Sequence, residues 1–295
     1  MEDLFSPYLP ENFDSFWHET VEECEAVSVD FSRTSSELQP LPSHEVELLE
    51  FTGMAGRRIK GWIATPESPV GAFLWIPAYG RESHLPNKYS TREGMISASF
   101  NLHGLGAFLQ EEYDPKRGYF SKGIADPHTW VFRRMTQDCL ISLRVLAEQA
   151  GVERSRISAA GLSQGGGMAI WAGARSNLVR SIVADLPFLS AMRHTFSQQI
   201  YRYPLKEITD FAETLPGGME AVLRTIAYFD TVNQATRVRK PTLVSLGLRD
   251  PAVRPDTVRA VYRALPSEKK LVEYESGHDW NPKMIEADRD WMTTK

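Results

Sequence analysis

The 295-residue chain has only two cysteines, Cys24 and Cys139. Their spacing fits neither a zinc-ligand set nor a redox motif, so two free buried thiols are expected, with a single disulfide as the alternative. Positive charge is also scarce. A formal net charge of −5 gives no pull toward nucleic acid or anionic lipid. No apolar run approaches the roughly 18 residues that a membrane span needs. The start, Met1-Glu2-Asp3-Leu4-Phe5, lacks the basic-then-apolar pattern of a signal peptide. No repeat, low-complexity tract or long linker divides the chain. These absences predict a soluble cytoplasmic protein, with 1–295 forming a single domain.

With 42% hydrophobic and 24% charged residues, the chain can build a sizeable core. Phe13, Phe16, Trp17 and Val21 fall at helical spacing and predict a short helix packed on the main body, within an N-terminal helical extension over 1–43. Residues 44–51 and 58–65 read as a Gly-punctuated hairpin. Residues 70–77 form an almost wholly apolar run, the mark of a strand buried on both faces. Further strands are expected at 96–102, 156–161, 179–184, 241–246 and 270–274. Helices are expected at 129–150, 166–176, 256–264 and 283–292. Such alternation implies parallel pairing through right-handed crossovers. Residues 190–236, rich in Phe and Tyr, break the alternation and read as a helical insertion, either a cap over the site or plain scaffold.

Gly161-Leu162-Ser163-Gln164-Gly165 fits the G-x-S-x-G nucleophile elbow. Small flanking residues let strand and helix meet closely, and the serine projects beside a helix N-terminus that favours developing negative charge. A strand-like run before the motif and a helical run after it add the context that the bare pattern lacks. A serine hydroxyl needs a positioned base, and the base needs an orienting acid, in the chain order Ser, acid, His. Asp250 follows the apolar strand 242–246, and His278 follows the next strand behind Gly277. Of the other histidines, none has an acid upstream at an ordered strand end. Asp185, just past strand 179–184, is the competing acid. The oxyanion donors are expected at the backbone amides of Tyr79, in the loop Pro77-Ala78-Tyr79-Gly80-Arg81, and Gln164.

The chain resembles the acetyl xylan esterase and cephalosporin C deacetylase family of carbohydrate esterases. The likeness is carried by Asn12-Phe13-Asp14-Ser15-Phe16-Trp17, Phe51-Thr52-Gly53-Met54 and Gly161-Leu162-Ser163-Gln164-Gly165-Gly166-Gly167. It continues in Ala184-Asp185-Leu186-Pro187-Phe188-Leu189, Val244-Ser245-Leu246-Gly247-Leu248-Arg249-Asp250 and Gly277-His278. The resemblance implies an α/β-hydrolase fold, a mostly parallel central sheet flanked by helices, and a triad of Ser163, Asp250 and His278. It also implies oxyanion donors at Tyr79 and Gln164, no metal or other cofactor, and a closed homo-oligomer. The expected substrate is a small-molecule ester of acetate, or another small acid, with a sugar or related alcohol. One departure stands out: His103-Gly104-Leu105-Gly106 replaces the family's Arg-Gly-Gln-Gly. The same residues could serve a thioesterase, lactonase or peptidase, and a silent hydrolase-like binding protein is the reading from another class.

Overall fold

A computed structural model describes residues 3–36, 41–79, 85–102, 120–149, 151–198 and 202–295. The expectations that fall on Gly80, Arg81, His84, residues 103–106 and Tyr201 lie outside the described residues.

Nine strands form one sheet in the order β1-β2-β3-β5-β4-β6-β7-β8-β9 among the described residues. The antiparallel end comprises β1 (Phe31–Ser35), β2 (Glu45–Thr52) and β3 (Arg58–Thr65), with β3 pairing on β5 (Met95–Phe100). The remaining neighbours are all parallel: β5, β4 (Gly71–Ile76), β6 (Ile157–Leu162), β7 (Val179–Asp185), β8 (Thr242–Gly247) and β9 (Lys269–Tyr274). This is the α/β-hydrolase fold, and the hairpin and the buried central strands lie where the sequence pattern puts them. β1 is a strand that the pattern does not reveal. Its sequence Phe-Ser-Arg-Thr-Ser carries no apolar alternation, and four of its five residues are exposed at the sheet edge.

The central strands are buried on both faces, and period-two alternation divides their side chains between two cores. Ala72, Leu74 and Ile76 of β4 face the larger core with Ala159, Ile182 and Val244. The helices on that side are α1 (Phe13–Glu25), α2 (Val131–Ala147), α3 (Gln164–Arg175) and the later α8 (Pro255–Ala264). Phe73 and Trp75 point the other way, with Ala160, Leu162, Val183 and Leu243, and meet Met284, Trp291 and Met292 of α9 (Pro282–Thr294).

Between β7 and β8 the chain forms α4 (Met192–Ser197), α5 (Leu205–Ala212), α6 (Gly218–Ile226) and α7 (Thr231–Ala235). Buried Asp230 ties this segment down. Its carboxylate accepts from the amides of Ala191, Met192 and Val232, and from the Tyr8 hydroxyl at 2.8 Å. Phe16 and Trp17 of α1 meet Phe229 edge-on, and Phe229 in turn meets Trp130 and Trp171. The aromatic residues of the N-terminal helix are therefore core, as their spacing predicts. Cys24 and Cys139 are both buried and unbridged. No helix among the described residues is long and apolar enough to cross a membrane.

Candidate active site

The site grows from the junction of β6 and α3. Ser163 sits between them with φ 56° and ψ −117°, a strained conformation for a residue with a side chain. Three backbone hydrogen bonds hold it there. Its N–H donates to the Asp185 carbonyl at 2.8 Å, and its own carbonyl accepts from Gly167 at 3.0 Å and Phe188 at 2.9 Å. The glycines around it are steric requirements. A Cβ on Gly165 would lie 1.9 Å from the Ile76 carbonyl oxygen, and one on Gly161 would lie 2.5 Å from the Gly165 backbone. Bare backbone on α3 thus lets the helix N-terminus press against the carboxyl end of β4. Gln164, which follows Ser163, thus begins a helix that packs on Ile76 and Pro77, two residues before Tyr79. Both sequence-predicted oxyanion amides belong to these segments.

His278 and Asp250 arrive from the next two strand ends. The loops after β8 and β9 are laced together: Leu248 donates to Tyr274, and Arg249 to Ser276, through backbone amides at 2.8 and 2.9 Å. A Cβ on Gly247 would lie 2.6 Å from the Gly277 carbonyl oxygen, so the two loops meet backbone to backbone. His278 Nδ1 is 2.7 Å from Asp250 Oδ2, and Nε2 is 3.0 Å from Ser163 Oγ. An ionised carboxylate only accepts, so it fixes the tautomer: Nδ1–H donates to Asp250, and Nε2 is left to accept from the serine hydroxyl. The other oxygen of Asp250 accepts from the amides of Ala252 and Val253 at 2.7 and 2.9 Å. The acid's side chain is wholly buried, whereas about a quarter of the His278 side chain is open (26%). The imidazole can therefore reach both serine and solvent.

Asp185, the competing acid, is turned elsewhere. Its carboxyl accepts from the Ser245 hydroxyl and faces Asp288 on the α9 side of the sheet. Only its main chain touches the elbow.

The segment that follows β7 carries strain that the sequence conceals. Leu186, Leu189 and Ala191 have φ of 46°, 56° and 50°, with no glycine to announce it. This path brings the Phe188 amide back to Ser163. The Phe188 ring meets Phe120 edge-on at 5.7 Å between centroids, and Phe120 meets Tyr79 at 5.4 Å. The three rings thus form an aromatic wall that joins the elbow at the Phe188 amide. No group of three or more His, Cys, Asp or Glu side chains arranged to hold a metal occurs among the described residues.

The profile of the acetyl xylan esterase family matches residues 6–292, nearly the whole chain. The chain belongs to that family. Among curated relatives, an acetyl esterase of Xylanibacter ruminicola is 22% identical over 294 residues; the match covers 94% of this chain but only 66% of that protein. An acetyl xylan esterase from Paenibacillus sp. R4 superposes with a TM-score of 0.86 at 25% identity, covering 98% of this chain and 97% of that one. Acetyl xylan esterase 1 from a Thermoanaerobacterium species gives 0.82 at 23% identity, with 98% and 95% covered. A puromycin-hydrolysing peptidase of Mycobacterium tuberculosis shares the fold more distantly, with a TM-score of 0.58 at 16% identity, covering 88% of this chain and 40% of that one. The two acetyl xylan esterase structures thus match end to end, whereas this chain spans about two thirds of the Xylanibacter esterase and 40% of the peptidase.

Proposed function

We propose that this member of the acetyl xylan esterase family is a serine carboxylic-ester hydrolase that removes acetyl or similarly small acyl groups from sugars or related small alcohols. The observation that carries the reading is the unbroken hydrogen-bond chain from Ser163 through His278 to Asp250, set on a strained elbow. In the first half-reaction His278 takes the hydroxyl proton as Ser163 attacks the ester carbonyl, then passes it to the departing alcohol oxygen. In the second, it takes a proton from water, which attacks the acyl-serine, and returns that proton to Ser163 as the acid leaves. Asp250 keeps the imidazole oriented and stabilises its positive charge. The amides of Tyr79 and Gln164 meet the negative oxygen of each tetrahedral intermediate, reinforced by the N-terminus of α3. The aromatic wall of Phe188, Phe120 and Tyr79 favours a short acyl chain. Two buried, unbridged thiols accord with a reducing, cytoplasmic setting.

Hydrolysis of p-nitrophenyl esters from acetate to octanoate, by wild type and Ser163→Ala in parallel, tests the reading. Preference for acetate, abolished by the substitution, is the expected result. Equal and negligible rates in both proteins across the series would overturn it.

A further inference from the structure

The chemistry above leaves a polar group on the aromatic wall without a role. Tyr79 Oη and Tyr203 Oη lie 2.9 Å apart, their rings inclined with centroids 6.3 Å from each other. The two phenols come from different parts of the fold, Tyr79 from the end of β4 and Tyr203 from the segment that enters α5. Behind them stands Glu207, in the first turn of α5 and only 7% exposed. Its Oε2 accepts from the Phe120 amide at 2.9 Å, and the same carboxylate takes a hydrogen bond from the Tyr203 hydroxyl. A carboxylate this enclosed is costly to keep, and its bond to the phenol pair holds the two hydroxyls in place. Burial, the bond to Tyr79 and the nearby Glu207 carboxylate all hold the Tyr203 phenol above its ordinary pKa, so it keeps its proton across the neutral range.

The placement is as informative as the bonding. On the esterase reading the Tyr79 amide meets the reacting oxygen, and its side chain packs on Phe120 and on Tyr203, which is 51% exposed. The pair is thus a polar rim on an otherwise apolar wall, between the reacting bond and solvent. Each phenol can both donate and accept. An alkyl alcohol has nothing to offer such a rim, whereas a ring bearing several hydroxyls does.

We propose that Tyr79 and Tyr203 form the recognition edge for the alcohol half of the ester, hydrogen-bonding free hydroxyls of a polyhydroxylated leaving group, with Glu207 as the positioning residue that holds the pair. The proposal rests on the esterase reading and deepens it: Tyr203 discriminates among alcohols and takes no part in bond cleavage.

The experiment compares methyl 2-O-acetyl-β-xylopyranoside with cyclohexyl acetate, two ring esters that differ in hydroxyl content. Wild type should prefer the hydroxylated ester. Tyr203→Phe keeps the ring and removes one hydrogen bond, so the ratio of kcat/KM for the sugar ester to that for cyclohexyl acetate should fall about fivefold, mainly through KM. Glu207→Gln should shift the ratio in the same direction. Tyr79→Phe combined with Tyr203→Phe should lose less than the product of the two single effects, because the phenols act as a pair. An unchanged ratio in Tyr203→Phe, or equal weakening on both esters, would overturn the proposal. Wild-type indifference to hydroxyl content would overturn it while leaving the esterase reading intact. Failure of wild type on both esters and on p-nitrophenyl acetate would overturn the esterase reading itself.

Discussion

The Ser163 amide and the Asp185 carbonyl are joined by a 2.8 Å hydrogen bond, so the strained nucleophile hangs from the same residue whose carboxyl is sealed beneath the sheet. That carboxyl belongs to a buried network. Arg92 pairs with Asp288, Ser245 donates to Asp185, and both carboxyls are almost fully enclosed. Asp185 Oδ2 and Asp288 Oδ1 have no conventional donor, yet the two side chains interact. Burial holds both carboxyls above their ordinary range, and the Arg92 guanidinium draws Asp288 back toward the ionised form, so Asp185 is the more readily protonated of the two. Burial and the negative Asp288 push Asp185 well above the usual carboxylate range.

A pH dependence of stability follows from the Asp185 proton. A carboxyl with a raised folded pKa binds its proton more tightly folded than unfolded. Its stabilisation is complete below the unfolded value near ~4 and is lost as pH rises toward the folded value. Asp185→Asn mimics the protonated form at every pH and carries no such penalty. The Tm of Asp185→Asn relative to wild type should therefore climb steadily from pH 5 to pH 9. A difference that stays flat, or narrows, would rule out a protonated Asp185 in the folded protein.

The Asp250→Asn substitution separates the two acids in catalysis. Its remaining oxygen can still accept from Ala252 and Val253, so the loop should hold and Tm should change little. The new amide cannot fix the His278 tautomer as the carboxylate does, and kcat on p-nitrophenyl acetate should drop by roughly a hundredfold or more. Asp185→Asn should stay within a few-fold of wild type in the same assay. Reversal of that order would transfer the orienting role to Asp185.

Much of this site is legible in the sequence because its signals are local. The elbow needs small residues at Gly161 and Gly165, while Asp250 follows an apolar strand and His278 the short strand after it. What escapes is set by distant contacts. β1 is an exposed edge strand whose pairing with β2 comes from the ladder alone. The positive φ values at Leu186, Leu189 and Ala191 are enforced by the elbow and by Asp230, so no glycine marks them. Tyr203 and Glu207 sit in the 190–236 stretch, where aromatic content reads first as ordinary core and only second as a sugar-stacking surface. Only the three-dimensional placement divides buried Phe229 from half-open Tyr203.

Asp230 should be a structural linchpin. It is fully buried, and it answers three backbone amides and the Tyr8 hydroxyl at once. Removing the carboxylate strands those donors, each worth about 1–3 kcal/mol when buried and unsatisfied. Asp230→Ala should therefore lower stability by about 3 kcal/mol or more in urea unfolding. A loss under about 1 kcal/mol would show that the segment before α4 rearranges freely.

Gly165→Ala tests whether close backbone approach builds the site. The added Cβ would lie 1.9 Å from the Ile76 carbonyl oxygen, far inside contact distance, and that neighbour is backbone that cannot rotate away. Either α3 or the end of β4 must retreat, and both carry a predicted oxyanion amide. Overpacking of this kind costs about 1–3 kcal/mol of stability. The effect on catalysis should be larger than that figure suggests, because a shift of about an ångström in a positioned donor can lower the rate roughly a hundredfold. The expected signature is a folded protein with a modestly reduced Tm, an intact Ser163 that still reacts slowly with a phosphonate probe, and a kcat depressed far more than KM. Gly167→Ala is the matched control. Its Cβ would meet the Phe188 carbonyl oxygen at 2.5 Å, two residues further along α3 and against no part of β4. Equal kcat losses in the two variants would mean that generic strain at the elbow, rather than the approach of Gly165 to Ile76, governs the rate.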